Sequence, residues 1–488
     1  MSTDAWEAVI GIEIHAQLLT RTKMFCGCAL SFGDPPNTHT CPVCLAHPGA
    51  LPVVNREAIR LAIVAGHALG CEIAERSVFA RKNYFYPDLP KAYQISQYDQ
   101  PICGPGRFRF LTEDGAKTLG ITRAHLEEDA AKLIHLGGEG RRANAEGSVV
   151  DFNRGGTPLL EIVTEPELHN GADAAAFLKQ LRQTLVHLRI TDGSMEQGSL
   201  RADANISVRP AGSTGLGTKT ELKNMNSFTF LERGIAAEIK RQIAILDVGG
   251  TITQETLHYE PATGQITSLR SKEEAHDYRY FPEPDLEPVV PDRAWVEELR
   301  AGLPELPIDR RERWIRDYGL TFEDAEVLSE PTELGDYFER VAMDAPPKSA
   351  ANWVRGELRA QLRERGQEPW GSAVPPEALA SLIGMVESRT ISMPSAKAVL
   401  AHLVEHGGDP VRVVDDLGLK PTHDESALAG IVDTLFADNP VQAQQLREGK
   451  DKLVGFFVGQ AMKVTGGTAD PSQISQLVRE RAAGDPAS

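Results

Sequence analysis

Six cysteines in 488 residues are too few to staple a fold of this length with disulfides. No stretch approaches the roughly 18 consecutive apolar residues of a membrane span. The first ten residues carry Asp4 and Glu7 but no lysine or arginine. That is unlike a secretory or mitochondrial leader, so a cytoplasmic protein with no membrane partner is expected. Positive charge is also scarce. With 51 basic against 69 acidic residues the net charge is -18, which argues against non-specific coating of nucleic acid but leaves room for a local basic surface. There is no Walker-type G-x4-G-K-[ST] loop, no kinase H-R-D or D-F-G set and no nucleophile elbow, so phosphoryl chemistry here would need another cradle. The rest of the composition is ordinary, at 41% hydrophobic and 25% charged. Whole-chain disorder is excluded, and at roughly 100–200 residues per domain the length suggests about three domains.

The pattern along the chain is α+β. Residues 9–18 alternate, with Ile10, Ile12 and Ile14 on one face and Gly11, Glu13, His15 and Gln17 on the other. Residues 200–208 alternate likewise. Leu200, Ala202, Ala204, Ile206 and Val208 would face a core, and Arg201, Asp203, Asn205 and Ser207 would face outward or into a cleft. Helical spacing relates Ala174, Leu178, Leu181, Leu185 and Leu188, and residues 55–70 read as a helix stopped by Gly70. After about residue 290 strand signals fade into Glu-, Arg-, Leu- and Ala-rich sequence broken by prolines. A helix over residues 395–405 should end at Gly407-Gly408. The last segment also reads as helical and carries Arg447, Lys450, Lys452, Lys463, Arg479 and Arg481, near neutral within an acidic chain. That fits either a solvated helix face or an RNA contact.

Two groups of residues point to metals. Cys26-Gly27-Cys28 and Cys41-Pro42-Val43-Cys44 are paired knuckles whose thiolates can close a tetrahedron on zinc. Four protein thiolates leave no open coordination position, so such a zinc is structural and pins the loop between the pairs. Cys71 and Cys103 have no such partners. Glu13 and His15, one residue apart in a strand, share a face; alone they suit an exposed polar face as well as a cation site. His125-Leu126-Glu127-Glu128-Asp129 adds an acidic cluster, and Leu159-Leu160-Glu161-Ile162-Val163 sets a carboxylate inside an apolar strand, where burial is costly unless the charge is paired or bound to metal. Convergence of some of these carboxylates on Mg2+ is the economical reading, and it points to phosphoryl transfer.

Longer runs are dense in functional residue types. They are Arg81-Lys82-Asn83-Tyr84-Phe85-Tyr86-Pro87, residues 151–158, Leu160-Glu161-Ile162-Val163-Thr164-Glu165-Pro166, residues 198–205, residues 221–228 and residues 277–284. Aromatic and basic residues interleave in the first and last, a pattern that suits stacking on bases or ordinary surface packing. In this order, from about residue 8 to 290 and more loosely to the end, the chain closely resembles the B subunits of the aspartyl/glutamyl-tRNA(Asn/Gln) amidotransferases.

The resemblance implies a mixed-sheet cradle domain over residues 1–290, a helical domain over 291–407 and a small tRNA-binding tail domain over 408–488. It implies an ATP-dependent ligase acting on misacylated tRNA, Glu-tRNA(Gln) or Asp-tRNA(Asn). ATP would phosphorylate the side-chain carboxylate, and ammonia from an amidase-like A subunit would then displace phosphate, with a small C subunit clamping the heterotrimer. The Mg2+/ATP site should include Glu13, His15, Glu128 and Glu161, with Glu128 preferred to Glu127 from its place in the motif. Arg201, Asp203, Asn205 and Lys223 should lie nearby. Lys82 and Lys91 should line an ammonia path, Cys26, Cys28, Cys41 and Cys44 should hold a structural Zn2+, and Lys450, Lys452 and Lys463 should meet tRNA. Two other classes compete: a zinc-stabilised RNA-binding scaffold, which has no need of a buried acidic metal site, and a small-molecule carboxylate–amine ligase, which has no need of the tail.

Overall fold

The computed structural model describes residues 5–137, 145–271, 278–419, 425–465 and 469–484. Asp277, part of one of the motifs above, lies outside them. The chain forms two compact units, 1–309 and 310–488. None of the described helices is long and apolar enough to cross a membrane.

The first unit is built on strands β1 (Trp6–Gln17), β2 (Val78–Asn83), β3 (Tyr93–Gln100), β4 (Gly106–Thr112), β5 (Gly115–Glu128), β6 (Lys132–Leu136), β7 (Gly147–Asp151), β8 (Pro158–Thr164), β9 (Leu200–Pro210), β10 (Thr220–Met225), β11 (Glu255–Glu260), β12 (Gln265–Ser271) and β13 (Phe281–Pro282). Eleven of them make one sheet in the order β12-β11-β10-β9-β1-β8-β5-β3-β2-β13, with β4 paired to β5; β6 and β7 form a separate hairpin. The β10–β11 pair is parallel and the other pairings are antiparallel, so the sheet is mixed as expected.

Alternation decides which face is which. Ile10, Ile12 and Ile14 of β1 and Leu200, Ala202, Ala204 and Ile206 of β9 are all at most 1% exposed. Their side chains form one apolar face, covered by α1 (Arg56–Ala68), α2 (Gly171–His187) and α3 (Phe228–Asp247). Each helix starts where a polar side chain captures an orphan amide. Asn55 accepts from the Glu57 amide (2.9 Å), Asn170 from Asp173 (2.7 Å) and Ser227 from Phe230 (3.1 Å), each cap contributing about 1 kcal/mol. Apolar stripes then turn inward: Ala174, Phe177, Leu178, Leu181 and Leu185 of α2 are fully buried. With the helices on one face, the polar residues between the isoleucines are left on the other. A fourth helix, α4 (Arg293–Ala301), packs on α1.

The second unit is helical and contains no strand among its described residues. One apolar cluster gathers Trp314, Phe338, Leu358 and Leu400, and another, further along the chain, gathers Phe457, Ile474 and Val478. The helix Met393–His406 ends on Gly407 at φ 67, a left-handed conformation that glycine adopts without strain. The Ile14→Ala variant should lose about 2–5 kcal/mol of stability, read by chemical denaturation of the first unit's transition; a loss under about half a kilocalorie per mole would contradict its place in the core.

Candidate active site

Register carries the polar residues into rows. Arg201 on β9 lies opposite His15 on β1, His15 opposite Glu161 on β8, and Glu161 opposite His125 on β5. Directly opposed residues share a face, so one row of four side chains crosses four strands. The next row sets Asp203 opposite Glu13. His15, Arg201 and Asp203 of these rows line a cleft of about 990 Å³ whose walls also include Lys82, Glu127, Asp129 and Lys223.

His15, Glu127 and Glu161 converge at one point: each offers a ligand atom, and these atoms lie within 4.8 Å of one another. His15 Nε2 is 3.6 Å from Glu161 Oε2 and 3.9 Å from Glu127 Oε1, and His125 Nε2 is 3.4 Å from Glu161 Oε2. Burial opposes ionisation of both carboxyls, and each resolves it differently. Burial and the neighbouring Glu161 push Glu127 up to about 7. At Glu161 burial is more than offset by the nearby imidazoles of His125 and His15 and the Lys82 ammonium, which hold it well below the usual carboxylate range. Burial drops His125 to about 4. Burial would also lower His15 and Lys82, but the two carboxylates raise both. Glu127 Oε2 is buried with no hydrogen-bond partner. Two carboxylates, an imidazole and an unsatisfied acceptor fit a divalent cation.

Glu128, expected from the motif to join the Mg2+ site, lies outside this group of three. Adjacent residues in a strand point to opposite faces, and His125 and Glu127 share the parity that meets Glu161. Glu128 instead pairs with Lys91 and accepts from the Ile95 amide (3.1 Å). The Lys91–Glu128 pair lines a separate cavity of about 230 Å³ beside Cys26 and Cys44. Lys82 lines the main cleft, so the two lysines lie in different cavities.

The remaining expected residues sit around the cleft. Asn205 donates to Glu13 Oε1 (2.8 Å). Lys223 is held between Asp203 (2.8 Å) and Glu221 (2.9 Å), and these carboxylates raise its pKa against the opposing effect of burial. Asp129 accepts from Arg201 Nη2 (3.1 Å) and Gln17 Nε2 (2.8 Å). Glu221 and Asp129 lie within the motifs, with nothing in the sequence to set them apart from their neighbours. A chain of stacked and edge-on rings, Tyr86, Tyr84, Tyr278, Tyr280 and Tyr98, runs on to His125. In the second unit Lys450, Lys452 and Lys463 are exposed, the latter two on the helix Lys452–Val464.

The four knuckle cysteines converge within 4.8 Å of one another. The Cys41 amide donates to Cys44 Sγ (3.2 Å). Hydrogen bonding from Cys26 and from that amide, with the charge of Lys23, pulls Cys44 down to about 4. Four convergent sulfurs, with the Cys44 thiol drawn toward ionisation, fit zinc. Cys71 and Cys103 are buried in the main core, away from this group.

Comparison with known proteins places the chain in a family. Residues 8–297 match the GatB/GatE catalytic domain family, and residues 336–481 match the GatB domain family. The chain belongs to the GatB family. Its relatives include the B subunits of the aspartyl/glutamyl-tRNA(Asn/Gln) amidotransferases of Geotalea daltonii, 50% identical over 98% of this chain and 100% of the relative, and Geobacter sulfurreducens, 49% identical over the same shares. The Thermoanaerobacter relative of the same name is 46% identical over 97% of this chain and 99% of its own length. The cleft lies entirely within the residues that match the catalytic domain family.

The raised pKa of Glu127 has a sign. Its folded-state value lies above its unfolded one, so its contribution to stability is greatest below the unfolded pKa and is lost as pH rises through about 7. In magnesium-free buffer the Glu127→Gln variant should therefore melt higher than the parent at pH 8 and show no such gain at pH 5. An equal effect at both values would mean that Glu127 is not driven by burial and Glu161.

Proposed function

We propose that this chain is the B subunit of a cytoplasmic, glutamine-hydrolysing amidotransferase that converts Glu-tRNA(Gln), Asp-tRNA(Asn) or both to the amidated forms. The observation that carries this reading is the group of half-buried His15 with the buried Glu127 and Glu161 at a large cleft, in a chain belonging to the GatB family. It also weighs against a purely RNA-binding scaffold, which has no use for two buried carboxylates side by side.

Ammonia does not displace oxide from a carboxylate, which is anionic and lacks a leaving group. Transfer of the γ-phosphoryl group of ATP to the side-chain carboxylate releases ADP and creates an acyl phosphate. Attack by ammonia at that carbon then expels phosphate and leaves the amide. His15, Glu127 and Glu161 would hold Mg2+, with Glu13 in the adjacent row. When bound, the cation neutralises phosphate charge during the transfer. Arg201 and Lys223 offer fixed cationic groups to phosphate or to the aminoacyl end. Asp129 orients the first, Asp203 and Glu221 orient the second, and Asn205 orients Glu13. Lys82, close to both buried carboxylates, and the Lys91–Glu128 pair in its own cavity supply the polar lining that a path for ammonia needs.

The ammonia source would be an amidase-like A subunit, and a small C subunit would complete a heterotrimer. Zn2+ on Cys26, Cys28, Cys41 and Cys44 would pin residues 29–40. The tail of the second unit, with Lys450, Lys452 and Lys463, would add phosphate contacts to tRNA.

The test uses the complete enzyme with ATP, Mg2+ and glutamine, comparing Glu-tRNA(Gln), Asp-tRNA(Asn) and no tRNA. Amide on either tRNA is expected; ATP turnover that ignores tRNA would favour a small-molecule ligase instead. Glu161→Ala should lower amide formation by about a hundredfold or more while glutaminase activity persists, and wild-type amide formation would show that the site is misplaced. Removing residues 408–488 should weaken tRNA affinity and spare glutaminase activity. Unchanged affinity would remove the tail from tRNA binding.

A further inference from the structure

The metal knuckle and the cleft are joined by a strap, residues 151–157. On the knuckle side, Lys23 Nζ donates to Phe152 O (2.9 Å), although Lys23 is only 1% exposed, and the Met24 amide donates to Gly156 O (2.8 Å). The Asn37 side chain accepts from the Phe152 amide (2.7 Å) and donates to Val150 O (3.1 Å). The Asn153 side chain accepts from the His39 amide (2.9 Å) and donates to Pro35 O (2.9 Å). The loop between the cysteine pairs is thus bonded to the strap through both side chains and backbone.

On the cleft side, Arg154 donates through Nε to Ala130 O (2.9 Å) and through Nη2 to Ala131 O (2.8 Å). The Gly156 amide donates to Asp129 O and the Asp129 amide to Thr157 O, both at 2.8 Å. Gly156 has φ +86 and is bonded on both sides, a conformation that a side chain would strain. Asp129 is 5% exposed, and its carboxylate receives Arg201 Nη2. The path from thiols to cleft is therefore continuous: knuckle loop, strap, Asp129 and the Arg201 guanidinium.

We infer that the four-cysteine knuckle is a positioning element of the cleft: through the strap it sets Asp129 and hence Arg201, and Asn153 and Arg154 are positioning residues. This rests on the proposed use of Arg201 in substrate binding. A knuckle that only stabilises its own loop would affect melting without acting through Arg201. Catalytic groups need placement to within a fraction of an ångström, so a loosened strap should appear in substrate affinity before it appears in folding.

A double-mutant cycle in the complete enzyme tests this, with zinc content, thermal melting and KM for ATP and misacylated tRNA as readouts. Asn153→Ala should keep its zinc and raise at least one KM by about tenfold. Asn153→Asp, which keeps the acceptor for the His39 amide, should recover part of the loss. Arg201→Ala should raise the same KM, and the double variant should be no worse than Arg201→Ala alone. Multiplied effects in the double variant, or a wild-type KM for Asn153→Ala, would overturn the inference. If Asn153→Ala fails to fold, Asn37→Ala enters the same cycle with the same expectations. Chelator-stripped parent enzyme should bind a non-hydrolysable ATP analogue or misacylated tRNA more weakly by a factor like that of Asn153→Ala. Unchanged binding of both would overturn it. Wild-type kinetics for Arg201→Ala would remove the proposed use of the cleft, and this inference with it, whereas a defective Arg201→Ala beside a silent Asn153→Ala removes the inference alone.

Discussion

Two carboxylates are kept out of water on the polar face of a sheet, and the rest of the cleft is organised around that electrostatic problem. Glu127 and Glu161 are 3% and 9% exposed and share one imidazole between them. Burying like charges side by side is costly unless something cancels them. In this chain the cancellation comes from His15, from the Lys82 ammonium and from a shifted proton equilibrium that leaves Glu127 near neutrality. Folding alone would be served as well by apolar residues at these positions, so the arrangement points to function.

The sheet makes the arrangement possible. Helices α1, α2 and α3 cover one face, which frees the other to be polar without exposing the core. Antiparallel register then sets Arg201, His15, Glu161 and His125 in one row across four strands. A one-residue slip in β1 would exchange Glu13 and His15 for Ile12 and Ile14 and destroy both faces at once. The same alternation explains the two fates of Glu127 and Glu128, neighbours in sequence that serve different cavities.

Beyond the sheet, hydrogen bonds carry order where apolar packing is thin. The segment between the cysteine pairs is largely exposed, and its ties run through Asn37, His39 and Asn153. The strap it holds is hydrogen-bonded in turn to Asp129 and Ala130, which line the cleft. In the second unit stability follows the more usual route of apolar clusters around buried aromatic rings, Trp314 and Phe338 in one and Phe457 in the other.

Much of this is legible in the chain. Period-two alternation marks β1 and β9 with their inward and outward faces, the spacing of thiols marks the knuckle, and capping and glycine signals mark α1 and the helix Met393–His406. These features depend on neighbours within a few residues, and short-range chemistry is written in order along the chain. Which distant residues meet is not written there. His15, Glu127 and Glu161 come from three strands, Lys223 finds Asp203 and Glu221, and Asn153 finds His39, because strand order and register bring them together. The elements, their faces and the local four-cysteine knuckle thus follow from residue order. Membership of the acidic cluster follows from the folded arrangement instead, because a carboxylate's partners and its ionisation are set by burial and distance, and neither is a property of position along the chain.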